Sequence, residues 1–279
     1  MNEKCYCLLD SGDGRKLEQF GPYRLIRPAA QAVWHPRLPR REWERADASF
    51  SREDAMQWDF YSTLPTHWFV DVGGVTFKVL LTDFGHVGLF PEHAAVWKKA
   101  HKQAAPGMRA LNLFAYSGGA TLALAQKGVE VCHVDASKGM VDWARENASA
   151  NALDNAPIRW IVDDVFKFIG REVRRKRFYD AIILDPPSFG RGKKGEVFKI
   201  ERDLRALLDG CKQLLSNTSC FVALSCHTPG YTPQVLKNLL MEMMGERPGL
   251  ITAQEMTLAP QGDGYPLPCG ASALFVSHE

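Results

Sequence analysis

Residues 111–137 read LNLFAYSGGATLALAQKGVEVCHVDAS. An apolar run ends in the small-residue turn Phe114-Ala115-Tyr116-Ser117-Gly118-Gly119, a helical stretch follows, and a second apolar run closes on Asp135. Strand, turn, helix, strand and acid in that order predict a ligand held at one end of a parallel sheet. The adjacent glycines do not follow G-x-G-x-x-G, which serves a pyrophosphate, nor the G-x-x-x-x-G-K-[ST] of a P-loop. Read alone, the turn fits either a close backbone approach to a ligand or a tight connection with none.

The alternation continues outward from this stretch. Strands are expected at 109–114, 129–135, 158–164, 179–185 and 219–225, with helices at 119–128, 138–153, 165–176, 201–215 and 232–244. Short apolar runs between amphipathic helices indicate a parallel sheet covered on both faces. Two last strands, about 250–257 and 271–277, have no helix between them and predict an antiparallel edge. Upstream, PEHAAVWKKAHKQAA begins a helix with proline in its first turn. WFVDVGGVTFKVLL reads as a hairpin about Gly73-Gly74, and a further tight turn is expected at Asp83-Phe84-Gly85. Residues 1–66 carry Trp34, Trp43, Trp58 and five prolines, and promise little helix; YRLIRP reads as a short strand. The expected division is a β-rich extension over 1–90 and an α/β domain over 91–279.

Composition bounds the function. The 279 residues are 46% hydrophobic with a net charge of +2, so a basic surface, if there is one, is local. No apolar run reaches the roughly 18 residues that span a bilayer, and the N-terminus lacks a signal-peptide pattern. The seven cysteines form no CxxC pair and no metal-ligand spacing is seen, so no metal is expected. Reduced thiols in a cytoplasm is the reading of the cysteines.

Ligand residues of such a sheet lie just after its strands. After the second strand, Asp135 can accept ribose hydroxyls, while Ser137 can cap the next helix. After the third come Asp163 and Asp164, one placed to accept from an adenine amino group and the other to cap; Asp164 is preferred for adenine. After the fourth comes Asp185-Pro186-Pro187-Ser188-Phe189. Its prolines remove two amide donors and fix the backbone. Outward-facing carbonyls beside Phe189 then suit an amino-bearing flat ring. After the fifth, Cys226 sits next to His227, and a nucleophile and a core thiol are both open readings.

With these motifs in hand, LNLFAYSGG, VDASKGMVDWARENA, VDDVFKFI, DAIILDPPSFGRGKK and ALSCH together resemble the class I S-adenosylmethionine-dependent methyltransferases. They are most similar to the branch of ribosomal large-subunit RNA cytosine-5 methyltransferases, over about residues 109–230. The resemblance implies a Rossmann-like fold, a mostly parallel seven-stranded sheet with an antiparallel C-terminal edge. It also implies S-adenosylmethionine as cofactor and RNA, ribosomal RNA in particular, as partner. Its implied cofactor residues are Phe114, Tyr116, Ser117, Gly118, Gly119, Asp135, Ala136, Ser137, Asp163, Asp164, Val165 and Asp185. The implied substrate residues are Pro186, Pro187, Phe189, Lys193 and Lys194. The implied catalytic pair is Cys226, attacking cytosine C6 so that C5 takes the methyl group, and Asp185, holding the ring. The alternatives are transfer to an exocyclic amine, which needs no cysteine, and a small-molecule or protein substrate.

Basic residues cluster at Arg174-Arg175-Lys176-Arg177, where a solvated surface is expected, and at Arg191, Lys193 and Lys194, where a phosphate backbone is a candidate contact. Arg37, Arg40 and Arg41 beside Trp34 and Trp43 offer a third basic, aromatic surface.

Overall fold

The computed structural model describes residues 4–51, 56–192, 195–218 and 221–278. The chain divides into two compact units, Met1–Ala94 with Thr257–Cys269 and Ala95–Met256 with Gly270–Glu279.

The first unit is built on β1 (Tyr6–Gly12), β2 (Arg15–Phe20), β3 (Tyr23–Pro28), β4 (Ala48–Ser51) and β5 (Gln57–Phe60), joined in that order as one sheet. Only YRLIRP was expected among these strands. The turn between β1 and β2 is Asp13-Gly14, both with positive φ (48° and 74°), which is the hairpin chemistry of an Asp-Gly pair. The single helix of this stretch among the described residues, α1 (Arg40–Trp43), is one turn long. Trp43 is buried and donates its indole N–H to Asp10 at 3.1 Å, and Trp34 donates to the Ser11 carbonyl at 2.9 Å. Trp43 is thus a core residue, and Arg40 pairs with Glu44. The expected hairpin is β6 (Trp68–Val72) and β7 (Val75–Val79), turning at Gly73-Gly74. A turn at Asp83–Gly85 is closed by Gly85 N–H donating to the Thr82 carbonyl. Pro91–His93 is a 3-10 turn leading into α2 (Ala94–Gln103).

The second unit alternates as the sequence does. β8 (Arg109–Leu113) is followed by α3 (Gly119–Ala125), β9 (Glu130–Asp135) by α4 (Lys138–Ala150), and β10 (Ile158–Val162) by α5 (Val165–Arg174). β11 (Ala181–Leu184) leads to a short hairpin, β12 (Phe189–Arg191) and β13 (Val197–Lys199), and then to α6 (Ile200–Leu214). β14 (Phe221–Cys226), α7 (Pro233–Met244), β15 (Gly249–Leu258) and β16 (Leu267–Ser277) complete the chain. The sheet order is β10-β9-β8-β11-β14-β16-β15. Pairing is parallel from β10 to β14, and β16 runs antiparallel to β14. This is the expected mixed sheet of seven strands. The hairpin of β12 and β13 was not expected, since three-residue strands carry too little periodicity to read.

One face of the sheet packs Leu111, Leu113, Val134, Ile182 and Leu184 against Phe168 of α5, Leu207 of α6 and Leu240 of α7. The other face carries a buried polar relay under α3: Asn112 donates to Thr121 at 2.9 Å, and Thr121 meets His133 at 3.0 Å. Burial, with a smaller push from Arg145, takes His133 down to about 3, so it stays neutral there. Among the described residues no helix is long and apolar enough to cross a membrane.

Candidate active site

Strand order reverses between the parallel neighbours β8 and β11, so the crevice at their carboxyl ends is the topological switch point of the sheet. The residues after β8 are strained there. Phe114 (φ 53°), Tyr116 (φ 50°) and Gly118 (φ 96°) all adopt left-handed backbone, two of them with bulky side chains. For the two non-glycine residues such a conformation costs on the order of 1 kcal/mol each, and such residues gather at functional sites. The turn is tied down on several sides. Ala115 N–H donates to the Val134 carbonyl at 3.1 Å, and Asn147 donates to the Ser117 carbonyl at 2.9 Å. Phe114 packs on Phe198 of β13 with ring centroids 5.2 Å apart.

Conformation demands a glycine at 118, and packing restricts both positions. A Cβ on Gly118 would lie 3.2 Å from that of Ala144, and one on Gly119 would run into the Trp97 ring of α2. Gly119→Ala is therefore expected to lower stability by about 1–3 kcal/mol through overpacking, read as a drop in Tm. An unchanged Tm would mean that Trp97 does not pack there.

Asp135 links the turn to β9. Its two oxygens accept one backbone N–H each, from Ser137 at 2.8 Å and from Tyr116 at 2.9 Å. Burial raises its pKa, and these two hydrogen bonds only partly offset that. Two acceptors with about four lone-pair sites keep capacity for further donors. Ala136 is half-buried, and Ser137 caps α4, accepting from Met140 N–H at 3.4 Å. After β10, Asp164 caps α5 by accepting from Lys167 N–H at 3.0 Å. Asp163 accepts the Asp164 N–H at 2.9 Å and pairs with Arg171. The capping half of the acid pair is thus Asp164, the residue preferred for adenine on the sequence, and Val165 beside it is buried.

After β11, Ser225 donates its hydroxyl to Asp185 at 2.8 Å, and His227 Nε2 lies 3.8 Å from the other carboxylate oxygen. The parallel register of β11 with β14 brings them together. Ser225 is a residue the sequence reading passed over; its place beside Asp185 could have been read from strand alternation next to Cys226. Pro186 is buried, Pro187 exposed, and Phe189 is 49% exposed with the Arg191 guanidinium 5.5 Å from its ring centroid. Ser188 and Thr228 share a hydrogen bond of 2.6 Å that joins this loop to the one after β14. Lys193 and Lys194 lie outside the described residues.

The surroundings of Cys226 bear on its two open readings, nucleophile and core thiol. Strand alternation turns Ser225 to Asp185 and turns Cys226 into the hydrophobic core, where it is fully buried. Burial pushes its thiol pKa up, the Asp185 carboxylate pushes the same way, and the hydrogen bond from Thr228 does not offset them. A nucleophilic thiolate needs the opposite surroundings. These are the surroundings of a structural thiol.

A strained glycine turn, an acid after the next strand and a rigid Asp-Pro-Pro loop converge on one crevice. A sequence profile described as S-adenosylmethionine-dependent methyltransferase matches residues 45–274. The chain belongs to this family. Members of this family are described as S-adenosylmethionine-dependent, and the chain has the class I fold. It is 39% identical to the SAM-dependent methyltransferase of Agrobacterium tumefaciens, whose crystal structure matches with a TM-score of 0.93 over 98% of this chain and 90% of that one. SMU.776, solved in complex with SAH, is 21% identical and shares the fold, with a TM-score of 0.80 over 99% of this chain and 76% of that one. Among curated relatives, ribosomal RNA large subunit methyltransferase K of Neisseria meningitidis serogroup B is 30% identical over 225 residues, 74% of this methyltransferase and 61% of that protein. The K/L enzyme of Pseudomonas paraeruginosa is 39% identical over 142 residues, 50% of this chain and 19% of that protein. The methyltransferase thus spans less than two thirds of the length of these relatives.

Proposed function

We propose that the chain methylates a base in RNA, with large-subunit ribosomal RNA as the substrate class and the cytoplasm as the place. Residues 91–279 carry the chemistry and residues 1–90 are an attached β-rich extension. The relatives named for ribosomal RNA support the substrate class. The observation that carries the reading is the Asp185 loop: a carboxylate fixed by Ser225, a proline-stiffened backbone and an exposed Phe189 on one short segment. That combination suits a flat ring with an amino or imino N–H, stacked on the phenyl and held by the carboxylate.

The cofactor fits the residues present. Asp135 has lone pairs left that would accept the ribose hydroxyls, and the turn Phe114–Gly119 with Ala136 and Ser137 would hold the methionine end and the ribose. Asp163, Asp164 and Val165 would hold the adenine, and Asp164 has one oxygen besides the one used in capping. When bound, the sulfonium supplies an electrophilic methyl group.

The protein's part is positioning and charge. Asp185 accepts from the base, orients its nucleophilic nitrogen and offsets the positive charge that grows on the base as the methyl group arrives. Where the acceptor is an exocyclic amine, the proton it sheds passes to that carboxylate or to water. Pro186 and Pro187 keep the loop from relaxing. Direct transfer of this kind is favoured over attack by Cys226 because the thiol is buried and its pKa raised.

Two measurements test the proposal. Methylated RNA digested to nucleosides is expected to yield an N-methylated base, and 5-methylcytidine would contradict direct transfer. Cys226→Ser and Cys226→Ala are expected to keep most of the activity while losing about 1–3 kcal/mol of stability. Loss of turnover in folded protein of both variants would restore the covalent route.

A further inference from the structure

At the amino-terminal edge of the same sheet lies a pocket of about 290 Å³. It is at the opposite end of the strands from Asp135 and Asp185, and a six-residue strand such as β9 puts about 17 Å between the two edges. Arg109, Arg159 and Arg177 line it, together with Glu130, Phe178 and Tyr179. Arg109 opens β8, Arg159 lies in β10, and Arg177 with Phe178 leads to β11. Three separate chain segments therefore bring guanidinium groups to one concavity.

The charges there do not balance. Behind the pocket, Glu172 of α5 is fully buried and accepts from the Tyr179 hydroxyl at 2.6 Å and from Arg159 at 3.0 Å. Arg175 at 3.3 Å and Arg177 at 4.0 Å draw on the same carboxylate. Burial would raise the Glu172 pKa, but the hydrogen bonds from Tyr179 and Arg159 bring it below the usual range, so it is charged. One carboxylate shared by three guanidiniums leaves two positive charges over. The Arg109 guanidinium makes no hydrogen bond or ion pair among the described residues, and Glu130 is the one acid that lines the pocket. Arg174 and Lys176, in the same run of the chain as Arg177, are exposed, and Phe178, which lines the pocket, is 42% exposed.

Glu172 accounts for much of the Arg174-Arg175-Lys176-Arg177 cluster as an anchored structure rather than a free solvated run. It holds the guanidinium planes while leaving their net charge positive. Fixed guanidiniums fit phosphate oxygens in a fork geometry, and an exposed ring beside them fits a base or sugar.

We propose that this pocket is a second contact for RNA, in which Arg109 and Arg177 take a backbone phosphate and Phe178 lies against the adjoining nucleotide. The inference rests on the RNA reading above and extends it to a footprint that passes from one edge of the sheet to the other.

The test is binding of a fluorescently labelled RNA hairpin, long enough to cross the sheet, over a series of KCl concentrations. Three proteins are compared: the wild type, Arg109→Gln with Arg177→Gln, and a control of equal charge, Arg205→Gln with Lys212→Gln, both exposed on α6. The plot of log Kd against log salt is expected to flatten by about 0.9 for each phosphate no longer neutralised, in the pocket variant alone. Cofactor binding, at the other edge, is expected to be unchanged. Arg177→Gln by itself, a half-exposed side chain at the margin of the Glu172 cluster, serves where the double variant does not fold. A pocket variant that binds with the slope of the wild type, or of the control, overturns this inference and leaves RNA as substrate. A wild type that binds no RNA overturns both.

Discussion

Asp185→Ala is expected to lower methyl transfer about 10²–10³-fold, the scale of removing one preorganised electrostatic group, with little change in affinity for S-adenosylmethionine. The carboxylate is the charged group of the Asp-Pro-Pro loop, and Ser225 holds it at 2.8 Å. Removing it leaves the cofactor side intact and takes away what orients the acceptor. Single-turnover transfer with the cofactor pre-bound isolates the chemical step, and calorimetry gives the cofactor Kd. Ser225→Ala, which takes one hydrogen bond from the carboxylate without removing it, is expected to give a smaller loss in the same direction. If the cofactor Kd rises as far as the rate falls, Asp185 serves the cofactor and the base must be held elsewhere.

The second large effect belongs to Asp135. Asp135→Ala removes the acceptor of the Tyr116 and Ser137 N–H groups as well as the proposed ribose contact. Hydrogen bonds to a charged group are worth about 1.5–3 kcal/mol each, so cofactor affinity is expected to fall about 10²-fold or more. Asp135→Asn is expected to do nearly as much harm, because its NH₂ would face one of the two backbone donors. The pH dependence has a definite sign. Burial raises the folded-state pKa of Asp135. A raised carboxyl pKa contributes stability below the unfolded value and loses it as pH rises through the folded value. Acidification through that window therefore does not unfold the protein through this group. It does protonate the ribose acceptor, so cofactor affinity is expected to begin falling at a pH above the ordinary aspartate range. Affinity that stays flat down to that range would contradict the assignment.

The sheet and its strand ends were readable in the sequence because β8, β9, β10, β11 and β14 are short, mostly apolar runs separated by amphipathic helices. That periodicity is a property of buried parallel strands. The five-stranded sheet of the first unit was mostly missed, although Asp13-Gly14 marks a hairpin on its own. Its strands mix charge with apolar residues: β2 reads RKLEQF, and Glu18 is buried only because Arg27 and Lys16 pair with it. A tertiary ion pair of that kind has no local signature.

At the site, spacing brought out Asp135, Asp185 and the glycine turn, since strand ends follow from strand positions. Spacing did not say which of two neighbouring residues faces the crevice. Asp164 caps α5 while Asp163 pairs with Arg171, and Ser225 faces Asp185 while Cys226 enters the core. Each choice is set by packing against an element distant in sequence. The arginine pocket was hidden for the same reason, because its lining comes from four strand starts and the buried carboxylate behind it from α5.

The measurement that tests the account most directly is transfer of tritiated methyl groups from S-adenosylmethionine to total RNA taken from cells lacking this gene. The purified protein is expected to place label in precipitable material that nuclease releases and protease does not. RNA from cells that express the gene is expected to accept little. Bound cofactor with no label in RNA, or with label that protease releases, would contradict the RNA substrate and leave the chain a methyltransferase of another class of acceptor.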